Sequence, residues 1–102
     1  MNQNEYDAMV NRILEYNKLY YQYKKTKRLL YLIEEMKDLE KKILILDRSA
    51  KKLRAQLFHL EKKSLNKQMA LQIPLQTSNE DLYKTVYSRY KELKTKVNEY
   101  KK

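Results

Sequence analysis

Proton transfer, metal binding and phosphate binding each need particular side chains at particular spacings. His59 is the only histidine in the 102-residue chain, and imidazole is the group best suited to acid–base work near neutral pH or to ligating a transition metal. Its near neighbours are Phe58 and Glu61, and no ligand spacing for zinc or for an EF-hand calcium loop accompanies it. Glu34–Glu35 and Glu80–Asp81 place carboxylates side by side in sequence. On a helix, adjacent residues point about 100° apart, so neither pair converges on one proton or one ion. The sequence contains no glycine to build a phosphate-cradling loop and no cysteine to supply a thiolate or a disulfide. A non-enzymatic protein is expected, with no catalytic residues, no metal ligands and no cofactor.

The remaining chemistry is electrostatic. Lys24, Lys25, Lys27 and Arg28 form the densest basic cluster, just after Tyr20, Tyr21 and Tyr23. Cations neutralise phosphates and tyrosine rings stack on unpaired bases, so these four residues are the candidate nucleic-acid contacts. The net charge of +10 fits that chemistry but is spread along the chain, at +3 over 1–28, +2 over 29–60, +2 over 61–77 and +3 over 78–102. Dispersed charge favours sequence-independent phosphate contact over reading of base edges. The cluster, followed by leucines, superficially resembles a basic-region leucine zipper. The spacing departs from that family: counting from Asn17 reaches Lys25 and then Glu35 rather than a leucine, and the preceding ILEYNKLYYQY is aromatic and amphipathic.

Helices must position all of these groups. The chain has one proline and is rich in Lys, Glu, Leu, Gln, Met and Ile, which suit helix and leave few residues for tight turns. Leu32, Leu39, Leu46, Leu53 and Leu60 recur every seven residues, with Leu29, Met36, Ile43, Ala50 and Leu57 between them. These ten successive a and d positions make a continuous seam for a partner helix. They predict one unbroken helix over 29–60, in which Asp47–Arg48–Ser49 is the only local candidate for a turn. Upstream, Tyr6, Met9, Val10, Ile13, Tyr16, Tyr20 and Tyr23 recur at spacings of three and four in a frame that slips near Lys24–Arg28. Downstream the seam fades through Ser64 and Lys67.

Residues 72–79, QIPLQTSN, form the clear break, because Pro74 disfavours helix at Ile73 and lacks a backbone donor. Ser78 is suited to cap a following helix, with Glu80 and Asp81 in its first turn. Leu82, Val86, Tyr90, Leu93, Val97 and Tyr100 then share one face. A single all-α domain is expected: a long coiled-coil helix over about 4–71, a break at 72–79, and a C-terminal helix over about 79–100 packed back to form a bundle. Leu30, Tyr31, Ile33, Leu44, Ile45 and Phe58 lie off the seam and call for a third helix to cover part of that flank. All ten tyrosines lie within 6–31 or 83–100, so the two tyrosine-rich regions are expected to pack together. An antiparallel dimer of straight helices would bring them together, and so would a monomeric bundle turning at 47–49.

The leading functional expectation is a scaffold or adaptor that self-associates, as a dimer or higher oligomer, and presents helices to a protein partner through the seam. The alternative is a small basic protein that binds nucleic acid. The longest apolar runs, Leu29–Ile33 and Ile43–Leu46, are far shorter than the roughly 20 residues of a membrane span. With no secretory signal and no cysteine, an intracellular, soluble protein is expected, cytoplasmic if cellular; the Lys-, Tyr- and Ile-rich composition would also suit a viral or plasmid-borne gene.

Overall fold

The computed structural model describes residues 2–101, the Asp47 side chain excepted; Met1 and Lys102 lie outside it. The described residues form three helices and no strand: α1 (Gln3–Leu46), α2 (Lys51–Ala70) and α3 (Asn79–Lys101). The fold is an all-α bundle, with α1 packed against both α2 and α3. At 1.5 Å per residue, the 44 residues of α1 span about 66 Å, close to the 69 Å long axis of a molecule only 19 Å across. None of these helices is long and apolar enough to cross a membrane.

The expected continuous helix over 29–60, and with it the single helix over 4–71, is corrected at Leu46. A short 3-10 helix, Asp47–Ser49, turns the chain so that α2 packs on α1. Ser49 Oγ donates to the Leu46 carbonyl at 3.0 Å, satisfying one of the acceptors left open where α1 ends. Ala50 follows with φ −89° and ψ 19° and is fully buried. This turn uses right-handed backbone throughout, which is how a chain without glycine can reverse tightly. The driving force is the seam: a straight helix would leave its leucines in water, whereas the turn lets Leu29–Ile43 and Ala50–Leu60 cover each other within one chain.

The second connection does use a left-handed residue, Gln72, at φ 57°. The Ile73 N–H bonds the Gln68 carbonyl at 2.9 Å and the Gln72 N–H bonds the Met69 carbonyl at 3.2 Å. This is the Schellman closure of a helix, with Gln72 where glycine is usual. It turns Ile73 inward and leaves Pro74 just beyond the helix end. Ser78 caps α3, its Oγ accepting from the Asp81 N–H at 3.1 Å.

Both shorter helices run antiparallel to α1. Glu35, Asp38 and Lys42 of α1 line one groove with Ala55, Gln56 and His59 of α2. Along α3, Asn79 bonds Glu40, Tyr83 Oη donates to Glu34 at 3.2 Å, Tyr90 meets Tyr23, and Tyr100 meets Tyr16. Leu29 and Ile33 of α1, Ile73, and Leu82 and Val86 of α3 form the main core, with Leu30, Leu71 and Tyr83 against it. Leu93 and Val97 extend the buried face of α3. α3 thus covers Leu30 and Ile33, as the off-seam residues demand, whereas Tyr31, Leu44, Ile45 and Phe58 stay exposed.

Candidate functional site

The ten seam residues are mostly used by the fold itself. Leu29, Met36 and Ala50 are buried, and Leu32, Leu39, Ile43, Leu53, Leu57 and Leu60 are half-buried. Only Leu46, beside the turn, remains 51% exposed. The seam expected to serve as an oligomer interface is therefore largely closed by the α1–α2 pairing, because the two halves of the heptad run lie on opposite arms of a hairpin. It also extends further than its apolar residues suggest. Ser64 and Gln68 are buried on α2, and Gln68 Nε2 donates to Ser64 Oγ at 3.1 Å. Thr26 is buried on α1 and donates to the Gln22 carbonyl at 2.7 Å. Gln68 Oε1 is buried without a partner among the described residues, an unpaired acceptor that costs stability.

His59 is exposed and lines the open α1–α2 groove of about 640 Å³ with Glu35, Asp38, Leu39, Lys42 and Leu60. No three His, Cys, Asp or Glu side chains among the described residues come together as a metal site.

Seven tyrosines form a continuous ladder across the α1–α3 pairing. Tyr100 contacts Tyr16 at 6.3 Å between ring centroids, Tyr16 stacks on Tyr20 at 5.8 Å, and Tyr20 stacks on Tyr23 at 6.3 Å. Tyr23 stacks on Tyr90 at 5.3 Å, and Tyr87 then joins Tyr90 to Tyr83. The Tyr23 and Tyr90 hydroxyls lie 3.4 Å apart. That hydrogen bond, reinforced by burial, pushes the Tyr23 phenol up to about 12. Burial, then the bond to Glu34, raises Tyr83 as well. These rings are structural: each spends its apolar face on a neighbour and keeps its hydroxyl at the margin of the bundle.

The basic cluster lies where neither short helix covers α1 completely. Lys24, Lys27 and Arg28 are exposed and Lys25 is half-buried. Lys24, Lys27 and Arg28 line an open groove of about 420 Å³ with Tyr20, Tyr23 and Tyr31, and Lys101 of α3 reaches the same groove. None of these cations forms an ion pair among the described residues, whose salt bridges join Glu92 to Arg89 and to Lys96 within α3. Across the hairpin, Lys67 is drawn below its ordinary pKa, first by burial and then by Arg28, Lys63 and Lys25. The hairpin thus adds Lys67 to the cluster, through Arg28 and Lys25, which only knowledge of the turn could reveal. Tyr31 carried a local signal, since it follows Lys27 by one helical turn.

No family model, curated protein or solved structure matches this chain.

Proposed function

We infer that this protein is a non-enzymatic helical scaffold that associates, first of all with a second copy of itself, through helix faces its own fold leaves uncovered. The observation that supports this reading is surface. The chain exposes 7925 Å², whereas a compact monomer of 12.5 kDa would expose about 6,200 Å². The excess is roughly twice the ~800 Å² that each partner buries at a standard protein interface. Much of it is apolar and lies at the two ends of α1, where a single short helix accompanies it or none does. Tyr6, Met9 and Ile13 are exposed on one side of α1 where α3 runs out, at the spacing of a helix-pairing stripe. At the other end, Leu44 and Ile45 are 83% and 80% exposed beside the turn. The cysteine-free sequence supports an intracellular setting for such a protein.

Light scattering at increasing protein concentration tests the reading. The mass is expected to rise above 12.5 kDa, and the double substitution Met9→Asp, Ile13→Asp is expected to return it to the monomer value with helicity unchanged. A mass that stays at the monomer value throughout contradicts self-association.

A further inference from the structure

We propose that the outer face of α1 between Tyr20 and Tyr31, completed by Lys101, binds single-stranded nucleic acid. The proposal goes beyond self-association and concerns a different stretch of α1. Its first ground is uncompensated charge: Lys24, Lys27, Arg28 and Lys101 line one groove that no carboxylate lines. Lys67 approaches from α2, where repulsion from Arg28 and Lys25 adds to the burial that lowers its pKa. A phosphate backbone laid along this face relieves that repulsion and releases its own counterions.

The second ground is an unused aromatic surface. Seven tyrosines are engaged in the ladder, and Tyr21 carries the Lys25 ammonium 4.6 Å from its ring centroid. Tyr31, 58% exposed, lies in the groove and stacks on no other ring among the described residues. It is available to an unpaired base, which every single strand offers and a duplex withholds. Tyr20 to Tyr31 spans about 16 Å of helix, enough for a short stretch of strand. The groove holds tyrosines and cations but no aliphatic side chain that would insert into a bilayer, so nucleic acid fits it better than an anionic membrane.

The test measures binding of labelled oligothymidylate by fluorescence anisotropy, with a duplex of equal length and phosphatidylserine vesicles as the other arms. The single strand is expected to bind more tightly than the duplex or the vesicles. Lys24→Gln, Lys27→Gln and Arg28→Gln together should reduce the slope of log affinity against log salt by about 2, at roughly 0.7 for each phosphate no longer neutralised. Tyr31→Ala should weaken binding about ten-fold, and Tyr31→Phe, which keeps the ring, should leave it unchanged. Circular dichroism checks that each variant stays helical. Binding to the duplex or the vesicles as tight as to the single strand, a salt slope unmoved by the triple substitution, or full binding by Tyr31→Ala each overturns the proposal.

Discussion

The two helix pairings that share α1 are built from different material. The α1–α2 hairpin joins aliphatic side chains in a heptad seam, Leu32, Leu39 and Ile43 on one arm and Leu53, Leu57 and Leu60 on the other, most of them only half-buried. The α1–α3 pairing has fully buried Val86 and nearly buried Leu82, Leu93 and Val97 along one face, edged by the tyrosine ladder. A regular seam can pair in several ways, with another chain or with itself, because every heptad looks like the next. The tyrosine pairing is specific, because its hydroxyls and rings meet particular partners: Tyr90 for Tyr23, Glu34 for Tyr83. Regularity makes a surface easy to recognise in a sequence; irregular polar detail determines what it meets.

Substitutions at two leucines of the same heptad pattern give the largest contrast. Leu29 is fully buried where α1 meets α3 and the chain before it, whereas Leu46 is half-exposed at the turn. Leu29→Ala is expected to cost about 2–5 kcal/mol, the range for a buried leucine that leaves a cavity, and Leu46→Ala much less. Chemical denaturation measures both, and equal costs would show that Leu46 is as deeply packed as a straight paired helix requires. The polar layer between the pairings comes next. Gln68→Leu with Ser64→Ala removes the unpaired buried Oε1 together with both partners of the Gln68–Ser64 bond and is expected to raise stability by up to about 1 kcal/mol. A loss of stability instead would mean that Gln68 Oε1 is satisfied in the native protein.

Smaller effects separate the connections. Gln72 adopts φ 57°, so Gln72→Gly should stabilise by up to about 1 kcal/mol by relieving left-handed crowding. At the right-handed turn, a glycine in place of Ser49 should destabilise. At neutral pH, Tyr23→Phe should matter least. Tyr23 is held neutral to about 12 against an ordinary value of 10.0. Its stabilising contribution is therefore complete below pH 10 and lost as pH rises from 10 toward 12, since the unfolded chain ionises first. Tyr23→Phe should flatten the fall in melting temperature across that window, and an unchanged fall would show that Tyr23 plays no part in alkaline unfolding.

The same contrast explains what could be read in advance. The C-terminal helix was legible because Pro74 and Ser78 act locally, one barring helix and the other capping it, and α3 begins at Asn79. The apolar face of α3 was legible from spacing, and the pairing of the two tyrosine-rich regions from their placement. A straight helix over 4–71 would have kept α3 from its own N-terminal tyrosines, and only the turn brings it to them. The turn at Asp47–Ser49 was visible only as a candidate, because Leu46 and Ala50 keep the heptad register across it. Whether a seam closes on its own chain depends on tertiary energy that no window of sequence contains. The candidate site shows the same limit: Lys24, Lys25, Lys27 and Arg28 are plain in the sequence, while Lys67 and Lys101 join them only through the folding of α2 and α3.

The turn at Asp47–Ser49 decides the whole arrangement, and one distance tests it most directly. Glu35 and His59 are exposed and line the same groove from α1 and α2, and the chain contains no cysteine that would compete for a label. Spin labels on cysteines at these two positions, in labelled protein diluted with unlabelled protein so that only intramolecular pairs are seen, report their separation by pulsed electron resonance. A hairpin predicts a distribution centred far below the roughly 36 Å that a straight helix sets across this interval at 1.5 Å per residue. A distribution centred near that value would contradict the hairpin and restore the leucine seam to a partner chain.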